Sequence, residues 1–508
     1  MSSISQAPLL PVVSTCLLLF IAYRFIHALF LSPLRKVPGP LLARLTAKRG
    51  DLDNFSGKVA QTAERDADKY GPVYVYKPNA VCVSHPDDVR TILGSQDFRK
   101  APFFDIFDDG GTKNIVSQRD PALASRRRRQ IGPYLNFSYL HKMEDVIQRH
   151  GYLAIQAKWE RMIDENSGKA TEVNYRIDTQ LATFDIMSAL AFGRDPSSIS
   201  KGSSSISSRA GSIMDLLDSP LILGLLSLIP FTWLMLPWKW MYQELADYSR
   251  ESLLMRKKLR ETGEHVPFDM LQAFVEAEDP ESKMKMSSSE IQAECIMMML
   301  AGSETTSSAI MWTIHLLLLH PDKLERAVEE VRSTFPSDHL ISHQEVLSKL
   351  PYIDAVVSEA LRVSPTTAGL TPRVSQTRGI SLQGHYIPPG TEIFVNLRSV
   401  NMHDGLWEQP RRFQPERFLD NDEAKKTLFT FSYGPRNCIG RNLAWVEMLT
   451  IVANLLKDYD IRLPSDSRFG PSNVDEEGVP RLLPAKCFIA SFPANPDRDC
   501  RMVISRRS

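Results

Sequence analysis

The residues from Phe431 to Gly440 read Phe-Ser-Tyr-Gly-Pro-Arg-Asn-Cys-Ile-Gly, and the cysteine at 438 is placed to work as a thiolate. Gly434 and Gly440 permit a tight loop in which backbone amides approach the sulfur. The apolar helix that follows, read from about Arg441 to Leu456, turns its positive end toward it. A single cysteine ahead of a helix is most often an ordinary buried thiol. The pattern F-x-x-G-x-R-x-C-x-G fixes five positions, however, and a chain of this length matches it by chance roughly once in several thousand cases, so the loop reads as functional.

Two further groups of residues stand out. Ala301-Gly-Ser-Glu-Thr-Thr306 interrupts an otherwise apolar helix, and a buried helix gains no stability from glycine, acid and hydroxyls in succession. Glycine alone costs about 1 kcal/mol relative to alanine there, so something must offset the motif. Glu359-Ala-Leu-Arg362 has the helical E-x-x-R spacing, which taken alone is usually a solvent-exposed pair worth a few tenths of a kcal/mol. Pro415-Glu-Arg-Phe418 lies between it and the cysteine loop.

The elements that must position these residues are mostly helical. Ser287 and Glu290 have capping-box spacing and Pro321 ends the pattern, which predicts a helix from Ser287 to His320 with Cys295 to Leu300 buried all round. Strand-like runs occupy residues 72–83 and 380–395, the second turning at Ile387-Pro-Pro-Gly390. Residues 197–208 are serine-rich and read as a surface loop. The run 216–240 carries Trp233, Trp238 and Trp240 and is broken by three prolines, so it reads either as core helices or as a surface dipping into a membrane interface.

Composition bounds the rest. Sixty basic and sixty acidic side chains give zero net charge, which leaves no bulk electrostatic case for a nucleic-acid partner, although Arg126 to Arg129 form a short basic run. The six cysteines show neither C-x-x-C pairs nor zinc spacing, which fits a reducing compartment. Residues 9–31 form an apolar stretch predicted to cross a bilayer once, with residues 1–8 lumenal. Arg35, Lys36, Arg44, Lys48 and Arg49 follow it and place the body in the cytosol by the positive-inside bias. Residues 32–40 are proline-rich and read as a stiff hinge, leaving 41–508 as one large domain. Sequons at Asn54 and Asn136 matter only if that domain is lumenal.

Taken together, these motifs resemble the cytochrome P-450 superfamily over nearly the whole chain. The resemblance implies a mainly α fold with a small β portion (α+β), a membrane anchor, and haem b (iron protoporphyrin IX) ligated by Cys438, whose thiolate assists O–O cleavage. Phe431 would pack beside the sulfur. Arg436, Arg128 and Arg373 would meet the haem propionates, although the family's tryptophan four residues before Arg128 is Ala124 here. Glu359, Arg362 and Arg417 resemble the family's buried Glu-Arg-Arg cluster, which supports the haem pocket. Ala301 and Gly302 would leave room for dioxygen, with Glu304 and Thr305 relaying protons. The competing reading of that segment is a kinked core helix whose threonine bonds back to a carbonyl.

The resemblance also implies partners. With no G-x-G-x-x-G or P-loop in the chain, electrons must come from another protein. In membrane-anchored members that is NADPH–cytochrome P-450 reductase at the endoplasmic reticulum, with cytochrome b5 as a second donor. The remaining arginines of the 126–129 run, with Lys425, Lys426 and Arg441, would form a basic patch for it. By family position the pocket is lined by residues 101–117, 214–240, 299–309, 366–370 and 486–491, mainly apolar, so the substrate is expected to be lipophilic. The hinge sequence resembles fungal members that tailor terpenoids, polyketides or alkaloids. The expected activity is monooxygenation. The alternatives are an O2-independent isomerase or dehydratase of the same family, or a haem sensor or carrier.

Overall fold

In the computed structural model, which describes residues 9–202, 236–487 and 490–507, helices dominate and the strands form small sheets, in line with the mainly α reading. The serine-rich stretch beyond residue 202 and the tryptophan-bearing run lie outside the described residues, apart from the backbone of a helix Leu236–Thr262. Residues 488 and 489 of the last expected pocket segment also lie outside them.

Helix α1, Leu9–Ile26, continues into a π-helical turn, His27–Leu31. Its span Val12–Leu31 has a mean hydropathy of 1.9 and is long and apolar enough to cross a membrane. The proline-rich segment behind it is more than a hinge. Leu34 and Val37 are buried in the apolar cluster of the main sheet, and Pro38 O accepts from Val75 N at 2.8 Å. The prolines thus dock the segment on a strand edge.

That sheet has the order β1 (Val73–Lys77), β2 (Ala80–Val83), then two strands from far along the chain, and last β3 (Arg99–Lys100). The two late strands are β4 (Leu370–Val374) and β5 (Glu392–Asn396); β5 runs parallel to β2 and antiparallel to β4. The run 380–395 therefore feeds two sheets. Ile380–Leu382 pairs with His385–Ile387, and Pro388 and Pro389, which offer no N–H to a ladder, redirect the chain before β5.

Five more helices carry the site: α2 (Pro121–Ile131), α3 (Tyr175–Phe192), α4 (Ser288–Leu319), α5 (Pro351–Val363) and α6 (Arg441–Asp458). The predicted capping box of α4 is present, with Ser287 Oγ accepting from Glu290 N (3.2 Å) and Glu290 Oε2 accepting from Ser287 N (2.8 Å). Residues Thr306 to Leu319 are all buried, and α3 packs along α4 more extensively than any other pair of elements.

Removing residues 1–31 should leave the melting temperature of the body nearly unchanged. Extending the deletion through residue 40 removes Leu34 and Val37 from the core and should cost about 3–6 kcal/mol, from two buried side chains at about 1.5–3 kcal/mol each. Thermal melts of the two truncations, in detergent, check this; equal melts would show that the docked segment contributes nothing.

Candidate functional site

The cysteine loop is closed by its own backbone. Cys438 N donates to Phe431 O (2.9 Å) and Asn437 N to Gly434 O (3.1 Å). Gly434 sits at φ +72°, and a Cβ on it would lie 2.3 Å from Leu93 O, so only glycine fits. Gly440 caps α6, and its backbone N–H acts to favour the anionic Cys438 sulfur. The Cys438 side chain is itself exposed. Desolvation by the protein around the sulfur raises its thiol above the ordinary range, while the Gly440 N–H, Arg128, Arg441 and Lys100 all act to favour the thiolate. Phe431 packs its ring against Trp445 (centroids 6.2 Å apart) and under the Arg441 guanidinium (5.6 Å).

Four cations gather beside this sulfur. Lys100 of β3 and Arg373 of β4 are cross-strand partners, only 8% and 4% exposed. Both lie over the Phe104 ring, at 4.8 and 5.7 Å from its centroid. Arg436 donates to Gln118 O, Lys100 Nζ to Val116 O (2.7 Å), and Arg373 to Pro372 O (3.1 Å). Arg128 spans the cysteine loop, donating to Asn437 O (2.8 Å) and Oδ1 (2.6 Å). Among the described residues none of the four forms an ion pair with a carboxylate. Burial, then the neighbouring arginines, holds Lys100 well below the usual lysine range; burial followed by Arg436 lowers Arg373 to about 10, and burial followed by Arg128 lowers Arg436 to about 10. Like charges opposite each other on paired strands repel, so this arrangement is complementary to a ligand bearing more than one anionic group. Lys100 is the member the motifs did not mark. It lies one residue before the segment expected to line the pocket and belongs to no spacing pattern.

Helix α4 is exposed or half-buried between Leu300 and Thr305 and buried on from Thr306. Ala301 is its exposed residue there. At Gly302 a Cβ would meet Met187 of α3, with Sδ at 2.7 Å, so this glycine lets α3 and α4 approach closely. Thr305 Oγ1 donates back to Ala301 O (2.7 Å), as the competing reading held. Glu304 is ion-paired with Arg176 of α3 and accepts from Gln180 Nε2 (2.9 Å), two partners the motif did not reveal.

The third group supports the loop from behind. Glu359 and Arg362, both 0% exposed, form a bidentate pair at 2.7 and 2.8 Å. Arg362 also donates to the carbonyls of Asn401 (3.1 Å), Pro410 (2.7 Å) and Arg412 (3.1 Å). Arg417 adds one 3.3 Å contact to Glu359. The Asn401 side chain carries this order into the cysteine loop, accepting from Phe429 N (3.0 Å) and donating to Thr430 Oγ1 (2.9 Å). Asn401 was not legible because it follows no motif.

The expected basic patch is smaller than read from the sequence. Arg127 is buried and paired with Glu290 and Glu294. Arg129 is held by Asp279, Lys425 by Asp354 and Lys426 by Glu423. Opposite charges within reach have neutralised all of these, leaving Arg126 and Arg441 outside any ion pair among the described residues.

Arg362→Ala should cost about 3–5 kcal/mol, because it strands a buried carboxylate. Arg417→Ala should cost only about 1 kcal/mol, since one long contact to Glu359 and one exposed bond to Gln409 O are lost. Gly434→Ala should cost about 2 kcal/mol or more through backbone strain. Urea unfolding of the three variants checks the order; equal losses for the two arginines would contradict the geometry.

Comparison with known proteins agrees with this geometry. The sequence model of the family described as Cytochrome P-450 matches residues 40–484. The chain is 67% identical to cytochrome P-450 monooxygenase helB1 of Aspergillus fumigatus, over 96% of this chain and 84% of that protein. It is 48% identical to helB2 of the same organism, over 96% and 97%. The crystal structure of a cytochrome P-450, CYP102L1, superposes with a TM-score of 0.68 at 18% identity, covering 88% of this chain and 94% of that one. A family match across most of the chain and relatives this close leave one conclusion: the chain belongs to the cytochrome P-450 family, and with it to the monooxygenases that work through haem iron.

Proposed function

We propose that Cys438 is the axial thiolate of a haem b whose propionates are met by Arg128, Arg373, Arg436 and Lys100, and that the enzyme inserts one oxygen atom from O2 into a lipophilic small molecule. The observation that carries this reading is the set of four cations, Lys100 and Arg373 buried and Arg128 and Arg436 half-buried, with no carboxylate ion pair among the described residues, beside a cysteine whose anionic form Gly440 N–H favours. Two propionates would answer the charge and iron would answer the thiolate, so the residues present fit the group. When bound, haem supplies the one-electron and O2 chemistry that side chains lack.

The chain's own residues hold and steer. Gly440 N–H and the nearby Arg128, Arg441 and Lys100 act to favour the anionic Cys438 sulfur against the desolvation that raises its thiol, a shift completed when iron is bound. Thr305 spends its own proton on Ala301 O, so its oxygen is left to accept a hydrogen bond from water on the α4 side. Arg176 and Gln180 fix the Glu304 carboxylate one residue away, where it can exchange a proton with that water.

Electrons would come from NADPH through NADPH–cytochrome P-450 reductase, with cytochrome b5 as a second donor. Residues 1–8 are proposed as lumenal, 9–31 as the single-pass anchor in the endoplasmic reticulum membrane, and 32–40 as the connection to a cytosolic body, 41–508. Basic residues after the anchor support that orientation. Both sequon asparagines are also engaged: Asn54 Nδ2 donates to Gly50 O (2.8 Å) and Asn136 Oδ1 caps a helix at Tyr139 N (2.8 Å). The likeness to fungal monooxygenases supports a role in specialised metabolism, on a terpenoid, polyketide or alkaloid intermediate.

Purified enzyme should form product only with both reductase and NADPH; turnover without them would remove the monooxygenase reading. Cys438→Ala should lose the red-shifted reduced-CO band, and survival of that band would refute the ligand. Thr305→Ala should keep haem yet consume NADPH without matching product, whereas coupled turnover would free threonine from proton handling.

A further inference from the structure

Glu294 lies about three turns before Thr305 on α4 and is fully buried, 0% exposed. It uses both oxygens. Oε1 accepts from Arg127 Nη1 of α2 (2.8 Å), and Oε2 accepts from the backbone N–H of Ile115 (3.1 Å). Burial pushes its carboxyl up to about 7, opposed by Arg127 and the Ile115 N–H. A neighbour on the same helix, Gln292, donates to Asp109 Oδ2 (3.0 Å), so α4 grips this loop at two points.

The gripped segment is the one that aims the cations. Asn114 Oδ1 accepts from Val116 N (3.0 Å) and Ser117 N (2.9 Å), folding residues 114–117 into one tight turn around the Ile115 amide. Val116 O then receives Lys100 Nζ, and Gln118 O receives Arg436. On its other oxygen Glu294 fixes Arg127, whose chain neighbour Arg128 clasps the cysteine loop. A carboxylate paired only for stability has no need of a loop amide, and a buried ion pair is by itself weak evidence of stabilisation.

We infer that Glu294 is a positioning residue for the haem seat: by holding Ile115 N–H and Arg127 it sets the two carbonyls that orient Lys100 and Arg436. The inference rests on the reading of the four cations as the seat of the propionates. Arg256–Asp269 offers a control, since it is equally buried, caps the helix Met270–Glu276, and has no bond to the cation group.

The test uses holoenzyme variants, with hydrogen exchange of the 113–119 segment, haem transfer to apomyoglobin and thermal melting. Glu294→Ala should speed both exchange at Ile115 and haem loss by roughly tenfold or more, the size expected for leaving a buried donor unpaired. Glu294→Gln, whose amide oxygen still accepts from Ile115 N–H, should restore haem retention to within about threefold of wild type. Asp269→Ala should lower the melting temperature without changing haem loss. The inference is overturned if Glu294→Ala leaves haem loss unchanged, with or without faster exchange, or if Asp269→Ala speeds it equally. Lys100→Met and Arg373→Met separate the two readings. Faster haem loss in these with none in Glu294→Ala sinks the positioning role alone, and unchanged loss in all three sinks the propionate seat itself.

Discussion

Lys100 and Arg373 face each other across paired antiparallel strands, nearly excluded from water, and Arg436 and Arg128 crowd the same region. Four cations with no carboxylate ion pair among the described residues are costly to gather, because they repel one another and two of them, Lys100 and Arg373, lose their hydration. The polar contacts they do make are to carbonyls and one amide oxygen, which satisfy N–H groups but leave the charge unbalanced. A ligand carrying two carboxylates turns this cost into affinity. Two of these cations, Arg128 and Lys100, extend their field to Cys438 and favour its thiolate.

Everything else holds that arrangement still. Two of the cations sit on short strands of a single sheet, one on α2 and one in the cysteine loop, so their convergence depends on long-range packing. Glu359 and Arg362 pin the chain at Asn401, Pro410 and Arg412, and Asn401 passes that order to Phe429 and Thr430 at the mouth of the cysteine loop. Opposite them, α4 is kept in register by α3, whose Met187 fills the space over Gly302 and whose Arg176 and Gln180 hold Glu304.

Local signals made much of this legible in the sequence. The cysteine loop, the capping box at Ser287 and the proline stop at Pro321 act over a few residues, and each is found where the spacing put it. The buried Glu359–Arg362 pair was legible only through the family resemblance, since the same spacing on an ordinary helix faces water. What escaped reading depends on tertiary contacts. Lys100 is a lone basic residue until β3 pairs with β4, and Asn401 is an unremarked amide until the chain folds back on it. The basic run at Arg126 to Arg129 misled in the opposite direction, because acids distant in sequence neutralise Arg127 and Arg129. The packing of Gly302 against Met187 was also not legible, because the helix it meets is more than a hundred residues away in the chain.

X-ray absorption at the iron edge of the purified wild-type protein probes the central bond most directly, since it reports which atoms surround the metal. Sulfur should appear in the first shell alongside the porphyrin nitrogens. A shell of nitrogen and oxygen alone would contradict the assignment of Cys438, and with it the purpose given to the four cations.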